Sequence, residues 1–412
     1  FGSTFGGRYD PSAADLKTRM CIAQGNRMLN YYLFAGGRNY LLDEKPGDGN
    51  DRIAFTGERH GFAAPVSPEG ELNYTFPRMA RSIQTVMGAA EKLAVMQEER
   101  DGVFFAFIPD YFMTEYRYPK SEKMKEIFSN IETNRAHGAW EIMGRAMLLA
   151  GYRFGSVDIQ NKEVHPDIIP VLALPSARYM HGPIQQKLAD YLKQGGGILL
   201  YGEVPLFDME GKPCTILADV MGVRHKKDYR EHPDFYPSLI AEGWMSPRPE
   251  IRTHFAQTFE IGHAQSLLRL HGSGGVCGFD VSVGRGRAIV IASHYNCDIA
   301  FFKTALETLG ARAALTHDCS AHGIFMTSTR TESGERFLHI LNLDGFDKKF
   351  HLFENGEILF DGLKIVLQSK DGVMLPLGVN YHDVKIVYST AEIAKVESNS
   401  IEFRLTQSKD II

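Results

Sequence analysis

Residues 168–175 (IIPVLALP) and 198–202 (ILLYG) are short and almost wholly apolar, and a helically spaced stretch ending in Gly195, Gly196 and Gly197 joins them. A strand that is apolar at nearly every position must be covered on both faces, which is the situation of a parallel sheet between two helix layers. In the joining stretch Ile184, Leu188, Tyr191 and Leu192 recur on one helix face, and the glycines supply its stop. The same alternation begins at residues 102–110 (GVFFAFIPD), continues through a helical pattern over 133–150, and reaches a short helix over 216–222 that ends at Gly222. Residues 99–320 therefore read as a doubly wound α/β domain. Within its last part, residues 284–294 are a turn feeding a buried strand, and 301–309 are a helix stopped by Gly310.

From residue 321 to 412 the texture changes. Short alternating runs at 323–329, 336–343, 349–353, 357–360, 363–367 and 384–388 are separated by Asp-Gly or Asn-Gly turns. That is the pattern of hairpins, and it predicts an antiparallel β-sandwich. Phe346, Tyr381 and Tyr388 are the aromatics available there for sugar stacking, and their alternation assigns them to the core. The run at residues 30–40 (NYYLFAGGRNY) reads as another buried parallel strand, with Gly36 and Gly37 allowing a sharp turn and a close approach to a ligand.

Two ordered motifs sharpen that last reading. After the run at 30–40 comes Arg59-His60-Gly61-Phe62-Ala63-Ala64-Pro65-Val66-Ser67-Pro68-Glu69-Gly70, and upstream stand Phe5-Gly6-Gly7 and Pro11-Ser12. As an ordered set over about the first 95 residues these resemble glycoside hydrolase family 35, the retaining β-galactosidases. The family's last barrel strand has the form N-x-Y-x-F-x-G-G-T-N-F and is followed by Y-D-A-P-x-S-E-x-G. The resemblance implies that residues 1–98 are the C-terminal end of a (β/α)8 catalytic barrel. It also implies that Tyr32 contacts the sugar and that Asn39, Arg38, His60 and Phe62 line the same site. Arg38 stands where the family has threonine, and Phe62 where it has a second sugar-contacting tyrosine. The middle domain resembles the class I amidotransferase-like or flavodoxin-like module that follows the barrel in family 42 β-galactosidases, which implies a homo-oligomer.

Retaining glycosidases need two carboxyl groups about 5 Å apart. By resemblance both glutamates precede Phe1, so none of the catalytic pair is expected in these 412 residues, and a preceding barrel segment is the expected partner. Glu69, Glu71, Glu98 and Glu99 read as solvated loop and helix-end acids. An amidotransferase reaction would need a cysteine on the turn after residues 198–202, and that turn is Gly202-Glu203-Val204-Pro205. Cys214 lies in a different turn. The middle domain is thus expected to be structural, with Glu203 capping a helix or facing solvent and His294 a hydrogen-bonded strand-end histidine.

A net charge of -5 offers no footprint for nucleic acid or an anionic membrane. The basic cluster Arg224, His225, Lys226, Lys227 and Arg230 is interrupted by acids and reads as a solvated loop. Five scattered cysteines without a C-x-x-C pair point to reduced thiols and a cytoplasmic setting. Oxocarbenium chemistry between carboxylates needs neither metal nor organic cofactor, so none is expected, and the substrate class is a β-linked galactoside or related sugar.

Overall fold

A computed structural model describes residues 10–38, 59–61, 64–115, 117–135 and 138–412. The chain forms two compact units: Phe1–Glu99 with Leu315–Ile412, and Arg100–Ala314.

The Arg100–Ala314 unit is built on five parallel strands: β1 (Val103–Phe107), β2 (Gly155–Asp158), β3 (Val171–Ser176), β4 (Gly197–Gly202) and β5 (Gly286–Ile291). Their spatial order is β2-β1-β3-β4-β5, the flavodoxin-like order. Successive side chains of a strand point to opposite faces, and here each face has its own core. Leu172, Leu174, Ile198, Leu200 and Val290 pack with Ile127, Ile131, Ile184 and Leu188. These come from the helices α1 (Glu122–Arg135) and α3 (Gly182–Lys193). Val171, Ala173, Leu199, Tyr201 and Ile289 pack on the other side with Met143, Met147, Phe302 and Leu306, from α2 (Ala139–Leu149) and α4 (Ile299–Thr308). Unbroken apolar runs are the sequence consequence of that double coverage.

Two features differ from the expectation. The helical pattern over 133–150 is two helices, because Gly138 lets the chain turn where a Cβ would lie 2.1 Å from the Thr133 carbonyl oxygen. Helix α1 was hidden in a charged stretch whose buried stripe is only Ile127, Ile131 and Asn134. Beyond β5 the sheet continues as an antiparallel wing through Val276–Val283, Gln265–Leu270, Ser238–Ala241 and Ile251–Arg252, with Phe255–Glu260 and Arg224–Arg230 paired off it. The basic cluster expected as a loop is that outermost strand, Arg224–Arg230. Its charges alternate outward, and Arg224 and Lys226 both pair with Glu260 on the neighbouring strand.

In the other unit, Ile324–Arg330, Arg336–Asn342, Asp371–Tyr381, Val384–Tyr388 and the short Gln97–Glu98 form one antiparallel sheet. One face packs Met326, Leu338, Ile340 and Leu375 against Phe350, Leu352 and Ile365, the sandwich that the Asp-Gly turns predicted. The opposite face, with Phe337 and Met374, is covered by Ile22, Ala89 and Leu93 from the first hundred residues. Helices Ser12–Ala23 and Phe76–Gly88 are tied down there by a buried ion network. Asp15 accepts from Arg19, Arg78 and Arg81, and Arg19 donates two bonds to Glu392, at 2.6 and 3.2 Å.

The run at 30–40 is not a buried parallel strand among the described residues. Gly37–Arg38 forms a two-residue antiparallel ribbon with Arg59–His60, while Tyr32 is 81% and Phe34 42% exposed. An apolar run is equally the signature of a surface presented to something else, and periodicity alone does not separate the two. Among the described residues no helix is long and apolar enough to cross a membrane, and no group of His, Cys, Asp and Glu could hold a metal ion.

Candidate functional site

The residues assigned to the sugar site lie around the ribbon Gly37–Arg38 and Arg59–His60. Asn39 and Phe62 fall outside the described residues. The glycine pair is required by the ribbon itself. A Cβ on Gly36 would lie 2.8 Å from the Gly61 carbonyl oxygen, and one on Gly37 would lie 2.7 Å from His60 Nε2. These glycines admit the facing chain rather than a ligand. Gly61, at φ +63°, makes the return turn, with Ala64 N–H donating to its carbonyl.

Below the ribbon, Gly36 N–H donates to Val66 O and Val66 N–H to Phe34 O, at 2.9 and 3.1 Å. Ser67 Oγ accepts from the amides of Glu69 and Glu71, shaping the acidic turn. Arg38 reaches across to Glu69 at 3.1 Å, a pair exposed on both sides and so weakly stabilising. Tyr31 turns inward, its hydroxyl 2.9 Å from Thr18 Oγ1, whereas Tyr32 turns outward. Arg38 and His60 are thus brought onto the two strands of the ribbon, and Tyr32 lies on the turn before it with its ring open to solvent.

The second location is a cleft of about 250 Å³ at the C-terminal ends of the parallel strands, lined by Glu126, Asn130, Arg178, Glu203, Arg230 and His294 among others. Each reaches it for a structural reason. Gly202 ends β4 at φ +119°, where a Cβ would lie 2.4 Å from Ser176 O, and this turn aims Glu203 inward. Glu203 is 2% exposed. It neither caps a helix nor meets solvent: its carboxylate accepts from Asn130 at 2.5 Å, Asn134 at 3.1 Å and Arg178 Nε at 3.0 Å. A buried charge persists only when paired and hydrogen-bonded in this way.

Arg178, two residues beyond β3, also pairs with Asp228, whose other oxygen meets His225 at 2.9 Å. Burial opposes the Asp228 charge, but His225 and Arg178 outweigh it and hold the carboxyl below its usual range. Tyr179 donates to Glu126 at 2.8 Å. His294 follows β5, and burial pushes its imidazole pKa down, favouring the neutral ring. Its backbone is hydrogen-bonded to Thr253 Oγ1 and Phe255 O, but among the described residues its ring makes no hydrogen bond and instead lines the cleft, contrary to the expectation of a hydrogen-bonded structural histidine. Its ring packs near Phe255, at 5.3 Å between centroids, and feels the charges of Glu203, Arg230, His254 and Glu231. Arg230 lies 4.7 Å from the centroid of the same phenyl ring.

Glu203 and His294 were visible in the sequence as strand-end polar residues. Their meeting was not, and neither were Asn130 and Arg178. The available signal was a polar residue within three positions after each apolar strand, at 178, 203 and 294. The cysteines offer no nucleophile at this place: Cys214 is elsewhere, and burial raises the Cys277 thiol to about 12. In the sandwich, Tyr381 is buried as expected, but Phe346 is 74% exposed and so is not a core residue.

Residues 120–242 match the family described as GLMA-like, second domain, a stretch that contains α1 to α3, β2 to β4, Arg178 and Glu203. An exo-β-D-glucosaminidase from Thermococcus kodakarensis is 23% identical over 407 residues, covering 96% of this chain and 48% of that protein. The chain therefore spans about half the length of that relative. In structure, the β-galactosidase from Rahnella sp. R3 is similar with a TM-score of 0.67 at 14% identity, over 90% of this chain and 52% of that one. A GH42 β-galactosidase from G. stearothermophilus gives 0.67 at 13%, over 90% and 51%. These likenesses show a shared mixed α/β fold rich in β-sheet and support a glycoside hydrolase-like protein. They do not support family 35 in particular. Motifs of a few residues around glycine turns carried that finer assignment, and turn geometry recurs across families.

Proposed function

We propose that this chain is the non-catalytic half of an exo-acting β-glycosidase, forming one wall of its sugar site beside a (β/α)8 barrel that carries the two catalytic carboxyl groups. The observation that carries the reading is the match to an exo-β-D-glucosaminidase along 96% of the chain. That match also favours a β-linked glucosaminide over a galactoside, since the β-galactosidase neighbours share the fold at 13–14% identity. The wall is the stretch holding Tyr32, Arg38, Asn39, His60 and Phe62. An exposed phenol can stack its ring on the apolar face of a pyranose and offer its hydroxyl to the sugar. Arg38 and His60 add donors for sugar hydroxyls. The retaining mechanism belongs to the same proposal, with one carboxyl as nucleophile and the other as acid and base.

The test uses the complete gene product and two aryl substrates, a β-D-glucosaminide and a β-D-galactoside. The glucosaminide is expected to be hydrolysed with the higher kcat/KM. Tyr32→Ala should lower that kcat/KM by about tenfold or more, with little change in Tm because the side chain is 81% exposed. Absence of hydrolysis of both substrates, or an unchanged kcat/KM in the variant, would overturn the reading. Preference for the galactoside would overturn the choice of sugar.

A further inference from the structure

In a sheet of this strand order the expected ligand crevice is the switch point outside the carboxyl ends of β1 and β3. Here that point is filled. Pro109–Phe112 forms a 3-10 turn that drops Tyr111 into it, with the phenol donating to Tyr179 O at 2.8 Å. Phe112 closes the rest, its ring 4.9 Å from Phe107 and capped by Arg135 at 5.2 Å. About 10 Å³ is left there, room for no more than about a single water molecule. The open cleft lies one strand further along, at the ends of β3, β4 and β5, and its 250 Å³ is room for a molecule of monosaccharide size.

The polar groups of this cleft divide into two sets. Glu203 and Glu126 are already engaged: Glu203 by Asn130, Asn134 and Arg178, and Glu126 by Tyr179 and Lys123. Arg230 and His294 are not. Among the described residues neither side chain makes a hydrogen bond or ion pair, and both lie against the Phe255 ring, Arg230 at 4.7 Å and His294 at 5.3 Å from its centroid. The Ser129 hydroxyl, also on the cleft wall, is likewise unengaged among the described residues. The unengaged set is therefore a guanidinium fork, a neutral imidazole and a hydroxyl, which together ask for a ligand rich in acceptors. A guanidinium fork matches a carboxylate in two parallel bonds. The two nearby carboxylates disfavour a dianion such as phosphate.

We infer that this cleft is a binding site for a small polyhydroxylated monocarboxylate, its carboxylate on Arg230 and its hydroxyls on His294 and Ser129. The inference does not depend on the reading of the Tyr32 stretch as a sugar-binding wall.

The probe is D-glucuronate, titrated calorimetrically into the 412-residue chain, with D-glucose and inorganic phosphate as comparisons. Saturable glucuronate binding is expected, weaker by about tenfold or more in Arg230→Gln, with glucose and phosphate binding more weakly than glucuronate. Arg230 is exposed and on an outer strand, so the variant should keep the parent Tm, which the same samples report. His294→Ala supplies a second variant and should also weaken binding. No glucuronate binding, equal binding of glucose or phosphate, or binding indifferent to both substitutions would each overturn the site. None of these outcomes bears on hydrolysis of an aryl glycoside.

Discussion

Glu203 is a buried carboxylate of the Arg100–Ala314 unit whose removal carries a large local consequence. Its carboxylate is 2% exposed and collects three donors, one of them the guanidinium of Arg178. Truncating one partner of a buried pair costs more than the pair contributes, because the other charge stays behind in the interior. Glu203→Ala should therefore destabilise this unit by about 3–5 kcal/mol, read as a fall in the urea midpoint. A loss under about 1 kcal/mol would mean that Arg178 is held by Asp228 alone. The sequence announced Glu203 as a polar residue after an apolar strand, but gave no means of telling a buried carboxylate from an exposed one. That distinction rests on Asn130 and Asn134, one helical turn apart on α1, and a helix so charged outside its narrow stripe does not advertise what its asparagines face. Around Tyr32 the situation is reversed. There the sequence proposed the residues, and the fold places Arg38 and His60 on one ribbon with Tyr32 exposed on the turn before it, while Asn39 and Phe62 lie outside the described residues.

At the level of elements, legibility followed coverage. Strands β3, β4 and β5 were readable because helices on both faces force apolar residues at nearly every position. The antiparallel wing was not, since Arg224–Arg230 is an outer strand whose charges satisfy Glu260 across the ladder. Such an edge has the composition of a loop, and charge on an edge strand also guards it against unwanted pairing. The apolar run at 30–40 misled for the opposite reason: Tyr32 and Phe34, in the turn before the ribbon, are exposed. The turn ending β4 offers the sharpest element-scale prediction. Gly202 sits at φ +119°, and a Cβ there would meet Ser176 O at 2.4 Å and the Ala139 side chain at 2.8 Å. Gly202→Ala must strain the backbone and separate β4 from the neighbouring strand end, costing about 2–4 kcal/mol. Thermal unfolding of the variant measures it, and an unchanged Tm would show that the turn can relax. Gly345, whose surroundings leave open space for a Cβ, is the matched control and should tolerate alanine.

For the molecule as a whole, the buried histidines predict how stability responds to acid. His339 is 3% exposed inside the sheet of the sandwich unit, with Thr329 Oγ1 at 3.0 Å from Nε2. Burial, reinforced by Arg19 and Arg27, lowers its pKa from 6.5 to about 3. His294 in the other unit is shifted in the same direction, mainly by burial. Below pH 6.5 the unfolded chain binds protons at these positions and the folded chain does not. Stability therefore rises with pH across that window and is lost as pH falls from 6.5 towards 3. The paired carboxylates act lower. Glu335, Glu242 and Asp228 have pKa values below their usual ones, so what they contribute persists above the unfolded carboxylate range and disappears only as pH falls through the folded values. Two regimes should result: a gradual loss between pH 6.5 and about 4.5 set by histidine, and a steeper one below it set by carboxylates. His339→Gln can keep a hydrogen bond to Thr329 while removing the titration. It should make the loss shallower in a series of urea midpoints from pH 6.5 down to about 3, and leave in place the carboxylate contribution that adds to it below about 4.5. If parent and variant lose stability along parallel lines from pH 6.5 to 4.5, the histidine account of that regime is wrong.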